Sequence, residues 1–224
     1  MSDAEQFNED YFENGVATGL SGYQNYRWLP EMTLTFAHKI IKNLELREGD
    51  RVLDFGCAKG FMVHAFRLLD IDAYGCDISE YAIQNAHPGT EEYLKLMSGD
   101  GDIPFEDNSF RHVIAKDVYE HLPEEVLERT LRESARVSER LFAIVPLGDG
   151  EKFIIPAYEN DVTHIQKQPR RWWDQKFEDA GWQVERFSHL VPGMKQNYAQ
   201  FQKGNSFYFL SRASNSPREH LFDS

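Results

Sequence analysis

Short apolar runs alternate with amphipathic stretches along most of the chain. The apolar runs have the residue types of strands and lie at residues 52–55, 73–76, 93–97, 111–116, 141–145, 182–187 and 207–210. Between them, apolar residues recur at helical spacing in residues 30–46, 61–69, 81–86, 123–137 and 169–180. Strands that alternate with helices are typical of an α/β fold with a mostly parallel sheet. The pattern therefore predicts seven strands in such a sheet.

One domain accounts for the whole pattern. The 224 residues contain no internal repeat, no low-complexity tract and no linker, and this length suits one α/β domain with a proper core. We expect residues 1–29 to form an N-terminal lid or cap, or a plug on the flank of the domain, because aromatic side chains there stand among polar residues and helix-breaking glycines. Residues 148–168 are predicted to form a longer loop, and residues 213–224 a flexible tail.

A glycine turn joins the first strand to the helix that follows it. Residues 51–60 read Arg-Val-Leu-Asp-Phe-Gly-Cys-Ala-Lys-Gly, so Gly56 follows the strand directly and Gly60 precedes the helix. Glycine adopts backbone angles that are closed to other residues and lets a ligand approach the main chain. Free N–H groups at a helix start can face that ligand. The turn predicts the opening of a nucleotide-binding βαβ unit.

An acid ends the second strand at the offset of a ribose contact. Asp77 lies 21 positions after Gly56 (77 − 56). A carboxylate at this place can accept hydrogen bonds from both ribose hydroxyls. The ordinary role of such an aspartate is helix capping, which Ser79 is able to fill. A dinucleotide site would in addition want a third glycine where Phe61 stands, which argues against NAD.

Charge limits the partners of the chain. Asp and Glu number 37 against 24 for Lys and Arg, which gives a net charge of −13. Such a surface repels phosphate backbones and anionic membranes, so neither nucleic acid nor membrane is expected as a partner. The sequence also permits a homodimer.

The two cysteines and the N-terminus bear on the compartment. Cys57 and Cys76 are too few for a disulfide framework, which favours a reducing environment. The first residues are polar and acidic, unlike a signal peptide, and no run reaches the roughly 18 apolar residues of a membrane span. A cytoplasmic location is therefore predicted.

Two histidines are candidates for a catalytic base. His121 follows the fourth strand, and His164 lies in the 148–168 loop. Histidine is the usual general base at neutral pH. The structural alternatives are that His121 packs at a helix start and that His164 fixes its loop through Asp161. Asp161 and His164 could also chelate a metal together, but no wider carboxylate cluster accompanies them, and no metal is predicted.

Two further segments carry a family resemblance. Residues 103–110 read Ile-Pro-Phe-Glu-Asp-Asn-Ser-Phe, and residues 113–122 read Val-Ile-Ala-Lys-Asp-Val-Tyr-Glu-His-Leu. With the glycine turn and Asp77, they resemble the small-molecule, type 11-like branch of class I S-adenosylmethionine-dependent methyltransferases. The resemblance is close over residues 50–146 and looser to residue 212. It implies a Rossmann-like sheet in the order 3-2-1-4-5-7-6, with the last strand antiparallel and helices on both faces, and S-adenosylmethionine as cofactor.

The resemblance also implies where that cofactor binds. The glycine turn would pass beneath its homocysteine part, with Ala58 where the family usually has glycine. An acid after the third strand would face the adenine amino group; Asp102 is a candidate, and Asp100, with a backbone contact from Gly101, is preferred. The complete predicted set of cofactor residues is Asp54, Gly56, Cys57, Ala58, Gly60, Asp77, Ile78, Asp100, Gly101, Lys116, Tyr23 and Arg27.

Function follows from the resemblance and the histidines. We expect O-methylation of a small hydroxylated acceptor, such as a sugar, a glycan or a secondary metabolite, by in-line displacement. His121, His164 and Asp117 are the catalytic candidates, and the resemblance implies that the 148–168 loop lies on the side of the small-molecule acceptor. The alternatives are N-methylation of an amino sugar or small amine, and a non-catalytic domain that binds S-adenosylmethionine for regulation.

Overall fold

A single mixed sheet forms the centre of the protein. The computed structural model describes residues 3–213. The strands are β1 (Arg51–Phe55), β2 (Asp72–Asp77), β3 (Leu94–Leu96), β4 (Phe110–Lys116), β5 (Ser138–Pro146), β6 (Trp182–Ser188) and β7 (Asn205–Arg212). Their order in the sheet is β3-β2-β1-β4-β5-β7-β6. β7 runs antiparallel to both of its neighbours, β5 and β6, whereas the pairs among β1 to β5 are parallel. Fold class, strand order and the antiparallel last strand are thus confirmed.

Helices cover both faces of this sheet. They are α1 (Glu9–Glu13), α2 (Gly15–Thr18), α3 (Pro30–Leu44), α4 (Phe61–Leu68), α5 (Glu80–Gln84), α6 (Glu124–Val137) and α7 (Arg170–Asp179). Successive residues of a strand point to opposite faces. In β4, Val113 packs in the core under α6 and α7, whereas Ile114 packs in the core under α3 and α4. Burial on both faces explains why the inner strands read as continuous apolar runs.

The carboxyl ends of the parallel strands meet at one edge of the sheet. β1 pairs with β2 on one side and with β4 on the other, and all three run in the same direction. The chain order reverses between β1 and β4, which is where doubly wound sheets bind ligands. The turn after β1, the end of β2 and the segment after β4 therefore lie side by side.

The N-terminal segment packs over this edge as a set of short helices. Tyr11 and Phe12 are buried against Ala82 of α5. The Ser79 hydroxyl donates to the Phe7 carbonyl at 2.5 Å, and Lys59 pairs with Glu13 at 2.5 Å. The segment is thus both a packed aromatic plug and a cover for the strand ends.

Element boundaries differ from the sequence pattern mainly in the last strands. β5 begins at Ser138 and β7 extends from Asn205 to Arg212, because the ladder between them continues through polar residues that carry no apolar signal. Of the predicted tail at 213–224, only Ala213 lies within the described residues, and its N–H donates to the carbonyl of Gly181 at 2.8 Å.

Candidate functional site

The glycine turn after β1 is held by the main chain of β2. The N–H groups of Gly56 and Cys57 both donate to the Cys76 carbonyl, at 2.9 and 3.1 Å. Gly60, with φ of +74°, starts α4. Ala58 has a φ of +48°, a left-handed conformation that favours the glycine usual in the resembled family. Alanine in place of glycine at position 58 therefore strains the backbone, in addition to adding the volume of a methyl group.

Two residues of the turn, Gly56 and Cys57, have surroundings that differ from those predicted for a cofactor contact. The Cys57 side chain is buried, and its Sγ would meet a Cβ placed on Gly75 at 2.7 Å, so only the Cys57 main chain can serve a ligand. A Cβ on Gly56 would meet the Val118 side chain at 2.5 Å. The close approach that Gly56 permits in this structure is therefore to Val118.

The Asp77 carboxylate fixes the turn at the end of β2. Its Oδ2 accepts from the Ala58 N–H at 2.7 Å, and its Oδ1 accepts from the Ser79 N–H at 2.8 Å. Burial raises the pKa of Asp77, although these backbone donors favour its ionised form. Each oxygen has a second lone pair for a ligand hydroxyl. Ser79 caps α5 by accepting from the Ala82 N–H at 2.9 Å, as the sequence indicates.

A cavity of about 110 Å³ lies next to Ile78, the residue that follows Asp77. Met97 and Phe7 of the N-terminal segment also line it. Ser98 and Gly101 form part of its wall. An apolar slot with a polar edge suits a flat ring such as adenine.

Asp100 is not among the described residues that line this cavity. Its side chain is about half exposed, accepts from the Ser98 hydroxyl at 2.5 Å and lies 4.0 Å from Arg129. Asp102 also pairs with Arg129, at 2.5 Å. In this segment the wall of the cavity is formed by Ser98, Gly99 and Gly101 instead.

Asp54 is buried at the end of β1. Burial, helped by the nearby Asp77, raises the pKa of Asp54 to about 7, although Lys116 acts in the opposite direction. A cation brought close to Asp54 would therefore favour its ionised form.

An ion-pair cluster closes the end of β4. Lys116 donates to Asp117 Oδ2 at 2.8 Å, and Lys195, from the loop between β6 and β7, pairs with Asp117 Oδ1. Lys195 also contacts the Tyr158 hydroxyl at 2.6 Å. Burial would raise the pKa of Asp117, but the two ammonium groups outweigh it and hold the pKa below its usual range. Both Asp117 oxygens are engaged, which makes this carboxylate a poor proton acceptor.

A hydrogen-bonded chain fixes the orientation of His121. The Thr163 hydroxyl donates to Asp161 Oδ1 at 2.6 Å, so its oxygen accepts from His121 Nδ1–H at 2.7 Å. Asp161 Oδ2 accepts from the Tyr11 hydroxyl at 2.8 Å. These bonds assign the proton to Nδ1 and leave a lone pair on Nε2. Burial and the adjacent His164 lower the pKa of His121 to about 4.

His164 shows the same tautomer. Its Nδ1 lies 2.7 Å from the Tyr158 carbonyl, which can only accept, so Nδ1 carries the proton and Nε2 is free. The two imidazole rings lie 4.6 Å apart. His164 Nε2 lies 4.0 Å from an oxygen of Glu120 and 4.0 Å from Asp161 Oδ2. The predicted bases are thus brought together with two carboxyl groups.

Sequence reasoning missed Glu120, Lys195 and Tyr158. Glu120 stands in the Glu-His-Leu run, so the motif held a signal for it, whereas Lys195 and Tyr158 are brought in by loops that carry none. Arg27 is exposed, and its guanidinium donates to the Asn25 carbonyl at 3.3 Å rather than facing the cavity. Tyr23 packs with its ring 4.8 Å from that of Tyr26, above the strand ends.

Part of the chain matches a known protein family. A family model described as a methyltransferase domain matches residues 53–140, which run from β1 to the start of β5. Over these residues the chain matches the type 11 methyltransferase domain. It is therefore an enzyme of the S-adenosylmethionine-dependent methyltransferase class, with S-adenosylmethionine as cofactor. The matched segment holds the glycine turn, Asp77 and the cavity wall, which together suit that cofactor.

Solved structures share the fold of this methyltransferase. A SAM-dependent methyltransferase from Aquifex aeolicus has a TM-score of 0.59 and 19% identity over 84% of this chain and 100% of its own. The [4+2]-cyclase SpnF has a TM-score of 0.61 and 14% identity over 89% of this chain and 90% of its own. A chain from the complex that contains the Haloferax volcanii Trm112 methyltransferase activator has a TM-score of 0.64 and 21% identity, covering 82% and 91%. These similarities show the fold.

One further property concerns membranes. Within residues 3–213, no helix of the methyltransferase has both the length and the apolarity needed to cross a bilayer.

Proposed function

We propose that the methyltransferase transfers the methyl group of S-adenosylmethionine to an oxygen of a small hydroxylated acceptor, such as a sugar, a glycan or a secondary metabolite. One observation carries the proposal. His121 and Thr163 line the same cavity as Ile78 and Met97. The cluster that can assist deprotonation therefore opens onto the space that suits the adenosyl part of the donor.

The donor would lie along the carboxyl ends of β1, β2 and β4. Asp77 would hold the ribose, Ile78 would pack on the adenine, and the Gly56–Gly60 turn would run beneath the homocysteine part. Asp54 faces this region as a buried carboxyl whose ionisation a substrate ammonium group would favour. Asp117, engaged by Lys116 and Lys195, would position the end of β4 rather than accept a proton.

The reaction is a displacement at carbon. The acceptor oxygen attacks the methyl group in line with the sulfur; the new C–O bond forms as the C–S bond breaks, and S-adenosylhomocysteine leaves with the electron pair. The hydroxyl proton passes to an Nε2 lone pair of the histidine cluster, which the Nδ1–H tautomers leave available. Because the cofactor supplies a good leaving group, the main tasks of the protein are to position the reactants and exclude water.

Two alternative functions can be tested by the measurements described below. An amine acceptor would use the same donor site and would give N-methylation of an amino sugar or small amine. A non-catalytic domain that binds S-adenosylmethionine for regulation would keep the donor contacts without turnover. The [4+2]-cyclase of the same fold illustrates that fold alone does not fix the reaction, so methyl transfer has to be measured directly.

The test has two stages. Thermal unfolding is measured with S-adenosylmethionine, S-adenosylhomocysteine or NAD; we expect stabilisation by the first two, and stabilisation by NAD alone would reject the donor. Formation of S-adenosylhomocysteine is then followed against pools of hydroxylated sugars, glycans and metabolites, with amines in a parallel pool. His164→Ala should lower kcat, whereas His38→Ala, on the exposed face of α3, should not. Equal kcat in both variants would reject a role for His164 in catalysis.

A further inference from the structure

Three metal-binding side chains converge beside the cavity. One carboxylate oxygen of Glu120 and one ring nitrogen each of His121 and His164 all lie within 4.8 Å of one another. Ligands of a tetrahedral ion at 2.0–2.1 Å stand roughly 3.4 Å apart. Small side-chain rotations would therefore bring these three atoms onto one ion.

The histidine tautomers are those of metal ligands. The Nδ1–H of His121 donates to Thr163, which in turn donates to Asp161, and the Nδ1–H of His164 donates to the Tyr158 carbonyl. A histidine that binds a metal usually donates its other ring N–H to a carbonyl or, directly or through a neighbour, to a carboxylate. Both rings are thus fixed from behind, with their Nε2 lone pairs available.

The burial of the Glu120 carboxylate is an independent indication of a bound cation. Its side chain is fully buried, and within the described part of the chain neither carboxylate oxygen has a hydrogen-bond partner. The backbone around it is fixed, because its carbonyl accepts from the N–H groups of Ile165 and Gln166, both at 2.9 Å. A buried carboxyl group without a partner is costly, and a bound cation would remove that cost.

We propose that Glu120, His121 and His164 bind a divalent first-row transition ion, with Zn²⁺ as the reference case. Two imidazoles and one carboxylate are a donor set of catalytic zinc sites, which keep a further position open. That position would face the cavity, since His121 lines it. The site itself does not depend on the proposed function. Its role does: in the loaded protein the ion would lower the pKa of a bound acceptor hydroxyl, and the proton would then be lost to water instead of passing directly to an imidazole.

The test measures metal binding in the absence of any acceptor. Protein without an affinity tag is stripped with a chelator and titrated with Zn²⁺ by calorimetry, and with Co²⁺ by visible absorption, which reports coordination by nitrogen and oxygen. We expect one ion per chain and a higher melting temperature with Zn²⁺. Glu120→Gln keeps the size of the side chain but weakens the ligand, and His164→Ala removes one; each should lower the affinity at least 10-fold. Asp161→Asn, which acts through Thr163, should lower it by roughly 10–100-fold.

A second histidine pair provides the matched control. The rings of His64 and His87 stack 3.9 Å apart, away from the cavity, and could bind an ion adventitiously. His87→Ala should leave both the stoichiometry and the Co²⁺ spectrum unchanged. The proposal is overturned if His87→Ala abolishes binding, if Glu120→Gln binds like the unaltered protein, or if no binding is detected at millimolar metal. Should His164→Ala fail to fold, Glu120→Gln decides alone.

Failure of the metal-site proposal and failure of the proposed function can be distinguished by separate measurements. Methyl transfer that persists in chelated protein, with no ion bound at the cluster, would reject the role of the ion in the reaction and keep the proposed function, while the titrations alone decide whether the site binds an ion. Binding of one ion through Glu120 and the histidines, with no transfer to any acceptor pool, would keep the site and reject the function.

Discussion

Replacing Asp77 by Asn tests whether its carboxylate stabilises the turn after β1 and binds the ribose of the donor. Asp77 accepts one backbone N–H on each oxygen, from Ala58 and from Ser79, and only 8% of the residue is exposed. An asparagine keeps one acceptor and turns its NH₂ group toward the other N–H, so one charge-assisted bond is lost and a backbone donor is left without its acceptor. Such bonds contribute about 1.5–3 kcal/mol each. Because burial already raises the pKa of Asp77, the ionised form carries a cost, and the expected loss is about 2 kcal/mol.

Urea unfolding at neutral pH measures this loss, and calorimetry with S-adenosylhomocysteine measures the ribose contact. A further lost hydrogen bond to a charged group should weaken binding by about 10- to 100-fold. Asp72→Asn is the control on the same strand, because Asp72 pairs with Arg51 and Arg67 at the partly exposed opposite end. It should cost less than about 1 kcal/mol and leave binding unchanged. Equal stabilities of the two variants would refute the hydrogen-bond argument, and unchanged affinity in Asp77→Asn would refute the ribose contact.

Three other residues give predictions of their own. Ala58→Gly should raise the free energy of unfolding by about 1 kcal/mol, since φ is +48° at this position, and urea unfolding would show it; a loss of stability would contradict the strain. The pKa of Asp54 is raised from 3.8 to about 7, so the native state keeps a proton that the unfolded chain has lost. Its contribution to stability, up to about 4 kcal/mol, is present below pH 3.8 and is lost as the pH rises to about 7; Asp54→Asn should remove this part of the pH dependence in unfolding curves collected across that range. Lys195→Met should destabilise the protein by roughly 2 kcal/mol, less than the 3–5 kcal/mol of a broken buried pair, because Asp117 keeps Lys116; faster proteolysis within residues 191–204 would confirm it, and unchanged proteolysis and stability would contradict it.

The fold was predictable because its information is local. Each inner strand is buried on both faces and therefore appears in the sequence as an apolar run, and each covering helix shows an apolar stripe. The antiparallel last strand came from the family resemblance, since no local pattern distinguishes it. The ends of β5 and β7 were underestimated because polar residues such as Ser138 and Asn205 continue the ladder through main-chain bonds, which carry no side-chain signal.

The two halves of the site differ in how far the sequence reveals them. The structure places the residues predicted for the donor on consecutive elements, where a glycine turn and an acid at the end of the next strand have a fixed spacing. Asp100 departs from this because its carboxylate accepts from the Ser98 hydroxyl and the Asp102 N–H and does not line the cavity. The spacing of residues predicts which segment lies at the site, but not the direction in which each side chain points.

The acceptor half depends on contacts between distant segments. His121 is oriented by Thr163 and Asp161 from the 148–168 loop, and Asp161 is held in turn by Tyr11 from the N-terminal segment. Lys195 reaches Asp117 from the loop between β6 and β7. A sequence pattern cannot place four segments around one point, because each of them is irregular and none has a period. The same arrangement means that a change in the N-terminal segment acts on the histidine cluster: Tyr11→Phe removes the donor to Asp161 Oδ2 while leaving the ring packed, so it would alter the environment of His121 without touching the glycine turn.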